Sequence, residues 1–325
     1  MARTRSFAGH TDWIKGLWVE EVERVITVFS VSSDKTIRSW NAATGELLRV
    51  YEGHTGTVYC CMCSEGTLYS GSFDKTVRAW HIATGELIRT FTGHRGWINC
   101  LYVVHGVVYS GSADKTVRAH DTTNGKMLRV FNGHRGFIVC MQVVENLLYT
   151  GSYDRTVRCW NVETGALMRV YDGHRGKINC LQLVDGVLFT GSADQTVCAC
   201  DVTSGELVHK YDGHIGCVYC LHVAHGVLYS AGADKTVRAF DVASGELLHV
   251  FVGHTGMVRG VTVARGELFS GSYDRTVRVW QTTCMKPTQS PLSSLQSSSP
   301  PCAAAAPIPP SRGADNGELD EEEYE

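Results

Sequence analysis

Histidine, a hydroxyl residue and aspartate recur together along this chain at fixed spacing, and such a trio can perform acyl-transfer chemistry. His94, Ser110 and Asp114 would serve as general base, nucleophile and orienting carboxylate. The same set recurs as His54, Ser70 and Asp74, and as His134, Thr150 and Asp154. In all it occurs seven times, with Ser30, Ser70, Ser110, Thr150, Thr190, Ser230 or Ser270 four residues before the Asp. A catalytic constellation occurs once, so repetition argues for structure. We expect a buried polar chain in which Asp accepts from His, His contacts the hydroxyl, and the hydroxyl contacts a tryptophan such as Trp80 or Trp160. The residue two before the Asp is Ser in six copies and Gly232 in the other, which assigns the hydroxyl to the earlier position. Cysteine is the other reactive type, with thirteen residues. Cys60, Cys100, Cys140, Cys180 and Cys220 each follow a His by six residues, where Gly16 and Gly260 stand in the remaining copies. Cys or Gly at one repeated place implies a small residue at a tight packing site, a buried free thiol. Cys60-Cys61-Met62-Cys63 and Cys198-Ala199-Cys200 have the wrong spacing for zinc, and strand neighbours point to opposite faces. No metal and no cofactor is expected.

The elements that hold these residues come from one repeated unit, most complete at residues 53–91. Gly-His pairs begin at residues 9, 53, 93, 133, 173, 213 and 253, so the first interval is 44 residues and the other five are 40. Each unit reads as four short strands. In the third these are Trp97–Val103, Val107–Gly111, Thr116–His120 and Lys126–Phe131. Two-residue turns such as His105-Gly106 separate the first pair, with Gly supplying a positive φ. Helical periodicity is absent. The predicted fold is all-β: a seven-bladed β-propeller with four antiparallel strands per blade. The last unit stops after its third strand at Trp280-Gln281, and an orphan strand, residues 3–7, precedes Gly9-His10. Phe7 stands where Phe91 and Phe131 stand before their own Gly-His, so the N-terminal strand is expected to complete the last blade. The four extra residues of the first unit lie in its first hairpin, within residues 20–24. The propeller is thus assigned to residues 1–281. Residues 282–325 hold all seven prolines and end in an acidic run, and are expected to be a disordered tail. Their charge of −5 leaves about +2 on the rest of a chain whose formal charge is −3. No apolar run approaches the ~18 residues of a spanning helix, and the first residues lack the apolar stretch of a signal peptide. We expect a cytoplasmic protein, with the nucleus as the alternative, and no membrane partner.

The unit Gly-His…Ser-Gly-Ser-Xaa-Asp-Lys-Thr-Val-Arg-Xaa-Trp resembles the WD-repeat family of seven-bladed propellers, over residues 3–281. The resemblance implies an interaction platform rather than an enzyme. Short hairpins and the Thr-Gly-Glu turn are most similar to the propellers of F-box substrate receptors. The first unit begins at residue 3, so no F-box segment is expected ahead of it within these residues. The family's Trp is replaced by His120, Cys200 and Phe240, so blades three, five and six are expected to have weaker networks. A repeated arginine two residues before the Trp position, as at Arg78 and Arg158, is expected to stack on the indole. In such propellers the loop after the His and the turn before the Asp share one face, the top. Informative residues there are those that vary between copies. Arg95, Arg135 and Arg175 occupy one equivalent site in three successive blades, with Trp97, Phe137, Tyr153 and Lys177 among them. Arginines beside exposed aromatics have the composition of a binding hot spot, and guanidiniums suit carboxylate or phosphate. The expected function is a non-enzymatic scaffold or adaptor whose top face binds an acidic or phosphorylated peptide of a partner protein. The alternative is an RNA-associated module using the same face, which the near-neutral charge disfavours.

Overall fold

The computed structural model describes residues 6–22, 25–264 and 266–282. The predicted tail beyond Thr282 and the turn residues Glu23, Arg24 and Arg265 lie outside them.

Seven four-stranded antiparallel sheets follow one another around a ring. In blade two the strands are Val58–Ser64, Thr67–Ser72, Val77–His81 and Leu87–Phe91, from the ring centre outwards. The innermost strands contact those of both neighbouring blades, and the first blade meets the seventh. Closure is the one read from the sequence. Ser6–Phe7 adds to the last sheet as its outer strand, with Ser6 opposite Arg278 and Phe7 opposite Val277. Phe7 is 2% exposed and packs with Trp40, Phe269 and Val277 between blades seven and one. The other cores sit in the same seams. Phe29 and Tyr51 of blade one meet Val58, Leu68 and Trp80 of blade two, for instance.

Local chemistry explains the strand ends. In the first hairpin of blade three both His105 (φ 48°) and Gly106 (φ 71°) are left-handed, the pair of values that matches the twist of tightly linked strands. The strain therefore extends to the residue before the glycine. The opening strand of every blade carries a register shift, as between Ile98 and Cys100. That shift directs the cysteine into the packing between blades. A Cβ on Gly71 would lie 2.7 Å from Cys60 Sγ, and one on Gly111 2.7 Å from Cys100 Sγ, so both positions must stay small. Burial pushes the Cys60 and Cys220 thiols up to about 12.

Neighbouring blades are also stapled at the rim. Arg49 donates to the carbonyls of Ala83 (2.6 Å) and Thr84 (2.8 Å) in the next blade. Arg89 spans to Thr123 and Asn124, Arg129 to Glu163 and Thr164, and Arg169 to Thr203 and Ser204. The series then changes residue: His209 takes the place in blade five, and its ring lies over Gly245.

Candidate binding face

The repeated trio is a closed structural chain. In blade two, His54 Nδ1 donates to Asp74 at 2.7 Å, and His54 Nε2 lies 2.8 Å from Ser70 Oγ. Trp80 Nε1 donates to the same hydroxyl at 2.8 Å. Blade four repeats this with His134, Asp154, Thr150 and Trp160 at 2.7, 2.8 and 2.8 Å. Asp74 also accepts from the backbone of Thr55 and Thr76 and from the Thr76 hydroxyl. Burial alone would raise the Asp74 and Asp154 carboxyls. The bonds from His and Thr outweigh it and hold both well below the usual carboxylate range. Ser70 and Thr150 are 0% exposed, so neither hydroxyl can reach a substrate. Where Trp is replaced, the chain loses its indole donor. The His–hydroxyl distance is then 3.0 Å in blade three, 2.9 Å in blade five and 2.8 Å in blade six. His120 is buried with Nδ1 unpartnered among the described residues, and burial, then the His94 and Arg118 charges, lower its pKa. The repeated arginine packs as the spacing implies, with Arg78 and Arg158 Cζ each 5.9 Å from the ring centre of Trp80 or Trp160. Its guanidinium also covers the glycine of the Gly-His pair: a Cβ on Gly53 would meet Arg78 at 2.8 Å.

Because strands alternate in direction, the loops after the outer strands and the second-to-third turns emerge on one face. Arg95, Arg135 and Arg175 are exposed there, and each backbone N–H donates to its blade's Asp at 2.9 Å. That bond fixes where the side chain leaves the loop. None of the three guanidiniums forms an ion pair among the described residues. Beside them runs a continuous row of rings. Phe73 stacks on Trp97 (5.2 Å, 14°), Trp97 meets Phe137 edge-on (5.3 Å, 74°), and Phe137 lies against Tyr153 (5.6 Å, 31°). Lys177 caps the row, its ammonium 4.7 Å from the Tyr153 ring centre. Trp97 is anchored by a 2.9 Å bond to Asn99, which in turn holds the Ile138 carbonyl.

Two groups on this face escaped the sequence reading. The first is an arc of exposed cations at the turn after the Asp in six blades, Lys35, Lys75, Lys115, Arg155, Lys235 and Arg275, all left-handed with φ between 67° and 71°, with the uncharged Gln195 in blade five. The second lies at the inner strand ends of blades six, seven, one and two. Arg259 sits 4.1 Å from the Tyr219 ring centre, and Lys15 donates to the Tyr273 hydroxyl at 2.9 Å. Trp13 stacks on Tyr273 at 4.8 Å. Burial raises Tyr59, with Tyr273 and Tyr153 adding to it and Arg259 opposing. Lys15, Tyr59, Tyr219 and Arg259 all stand five residues after the His. Variation at that place, set beside Asn99, Val139 and Asn179, was the signal that could have found them. The opposite face is acidic, with exposed Glu46, Glu65, Glu86, Glu145, Glu163, Asp185, Glu206 and Glu246.

The described cysteines are free thiols. Among the described residues no group of three or more His, Cys, Asp or Glu side chains is placed to hold a metal, and no helix is long and apolar enough to cross a membrane.

Seven four-stranded blades, each tied by the same His–Asp–hydroxyl chain, define a seven-bladed repeat propeller. The profile of the WD domain, G-beta repeat matches residues 1–41, 45–81, 85–121, 125–161, 165–201, 205–241 and 245–281, and the chain belongs to this WD40 family. A probable E3 ubiquitin ligase complex SCF subunit sconB of Arthroderma otae is 42% identical over 55 residues, 17% of this chain and 8% of that protein. The corresponding probable subunit scon-2 of Neurospora crassa is 44% identical over 55 residues, with the same coverage. The match therefore spans under a tenth of either relative. Among solved structures, the computationally designed Ika8 protein superposes with a TM-score of 0.70 at 27% identity, covering 85% of this chain and 98% of its own.

Proposed function

We propose that this WD40 propeller is a non-enzymatic protein-interaction scaffold whose top face receives an acidic or phosphorylated peptide of a partner protein. The observation that carries the reading is the arc of three exposed guanidiniums, Arg95, Arg135 and Arg175, beside the row from Phe73 to Tyr153. Guanidiniums grip carboxylate or phosphate bidentately, and the aromatic row offers rigid apolar contact with little rotamer entropy to lose. The surrounding arc of Lys35, Lys75, Lys115, Arg155, Lys235 and Arg275 raises the local concentration of anions. Similarity of a short stretch to named ubiquitin-ligase subunits supports a scaffold that presents one protein to another.

The test is binding of acidic, phosphorylated and uncharged peptide libraries to the wild type and to an Arg95/Arg135/Arg175→Ala triple variant. Selective capture of acidic or phosphorylated peptides, weakened roughly 100-fold in the variant, is expected if each lost charged contact is worth about 1 kcal/mol. Equal capture by both proteins would overturn the site. A preference for single-stranded RNA with a steep salt dependence would favour the RNA reading instead.

A further inference from the structure

We infer that the seam between blades four and five is a binding site for a small flat heteroaromatic molecule with one ring N–H, of the indole class. In blade four the Trp160 indole donates to Thr150 Oγ1 at 2.8 Å, and its far edge lies against Gly133, where a Cβ would meet Trp160 at 3.0 Å and Arg158 at 2.7 Å. Blades three and six replace the Trp with His120 and Phe240 but keep Arg118 and Arg238 over their glycines. Blade five replaces both side chains, with Cys198 for the Arg and Cys200 for the Trp. A Cβ on Gly173 would meet nothing within 4 Å.

The vacated slot is a cavity of ≈ 90 Å³ lined by Tyr171, His174, Leu188, Thr190, Cys198 and Cys200 among others. Its mouth is marked by the exposed Gly173 and Leu207, while the His174 side chain is 5% exposed. An enclosed apolar cavity of about 150 Å³ accepts benzene; this smaller one opens to solvent, so a bicyclic ring would seat with one edge at the mouth. Thr190, 4% exposed, retains the hydroxyl that in blade four accepts the indole N–H. Shape and the single acceptor thus select the same chemistry the chain itself supplies in blades one, two, four and seven. The site lies at the seam between blades four and five, and Arg155 of the top-face cation arc stands among its lining residues.

Calorimetric titration of the full chain with indole, and with benzothiophene as a ring of like shape lacking N–H, tests this. Saturable indole binding is expected, about tenfold tighter than benzothiophene because one hydrogen bond distinguishes them. Cys200→Trp, which refills the slot, is expected to abolish it. Cys200→Phe does the same by the route Phe240 uses, should the larger residue prevent folding. No saturable binding by the wild type overturns the site, as does undiminished binding in the filled variant. Equal affinity for the two ligands overturns the role of Thr190.

Discussion

A carboxylate that accepts from a histidine, a threonine and backbone N–H groups is a strong anchor, and each blade has one. Asp74 is bonded to His54, Thr55 and Thr76, so removing it leaves several buried donors unpaired. Asp74→Ala is expected to destabilise by about 3 kcal/mol, and Trp80→Phe, which deletes one indole bond, by about 1 kcal/mol. Urea unfolding read by fluorescence and circular dichroism checks the order of the two. The same carboxyls make stability depend on acid. Their pKa lies below the unfolded value of about 3.9, with Asp194 at about 2 and the others lower still. A depressed pKa contributes stability above the unfolded value and loses it as pH falls towards the folded one. Thermal midpoints are expected to decline gently below about pH 6.5, where unfolded histidines take up protons that the buried His120 and His222 resist, and to drop steeply below about 4. A midpoint unchanged at pH 3 would show that the anchors do not govern stability. These roles were legible in the sequence because repetition separated them from catalysis. The six turn cations drew no notice there, yet repeating a surface charge multiplies its field.

At the scale of the blade, the strands, turns and closure followed from alternation and from the place of Phe7 before the first Gly-His. Blade five was read less well. Cys200 was read as a lost Trp, but Cys198 drew notice only as a neighbouring thiol, whereas it displaces the Arg that shares that Trp's slot. Only packing reveals that two substitutions two residues apart empty the same volume. Blade five also ends the arginine staples, since His209 replaces an Arg at the seam with blade six. It is therefore expected to be the least protected blade in native-state hydrogen exchange. Refilling it with Cys198→Arg and Cys200→Trp is expected to raise stability by about 1–2 kcal/mol. Protection lower in another blade would place the weak point elsewhere.

For the molecule as a whole, stability is a property of a closed ring. Phe7 is held by two strand-paired residues and one seam, yet it joins the first blade to the last. Phe7→Ala is expected to cost about 3–5 kcal/mol and to expose the edge of Val277–Gln281 to exchange, with the other blades less affected. Loss of protection spread evenly around the ring would argue against a local clasp. The distribution of charge was the global feature least visible beforehand, because a formal charge of −3 averages over faces. The top carries Lys35, Lys75, Arg95, Lys115, Arg135, Arg155, Arg175, Lys177, Lys235 and Arg275 against exposed Glu52, Asp172 and Asp212, whereas the opposite side carries eight exposed acids against Lys126. An ion-exchange column senses this difference. A matrix of either sign can engage the face that suits it, so at neutral pH and low salt this acidic protein is expected to be retained by a sulfonate resin as well as by a quaternary-amine resin.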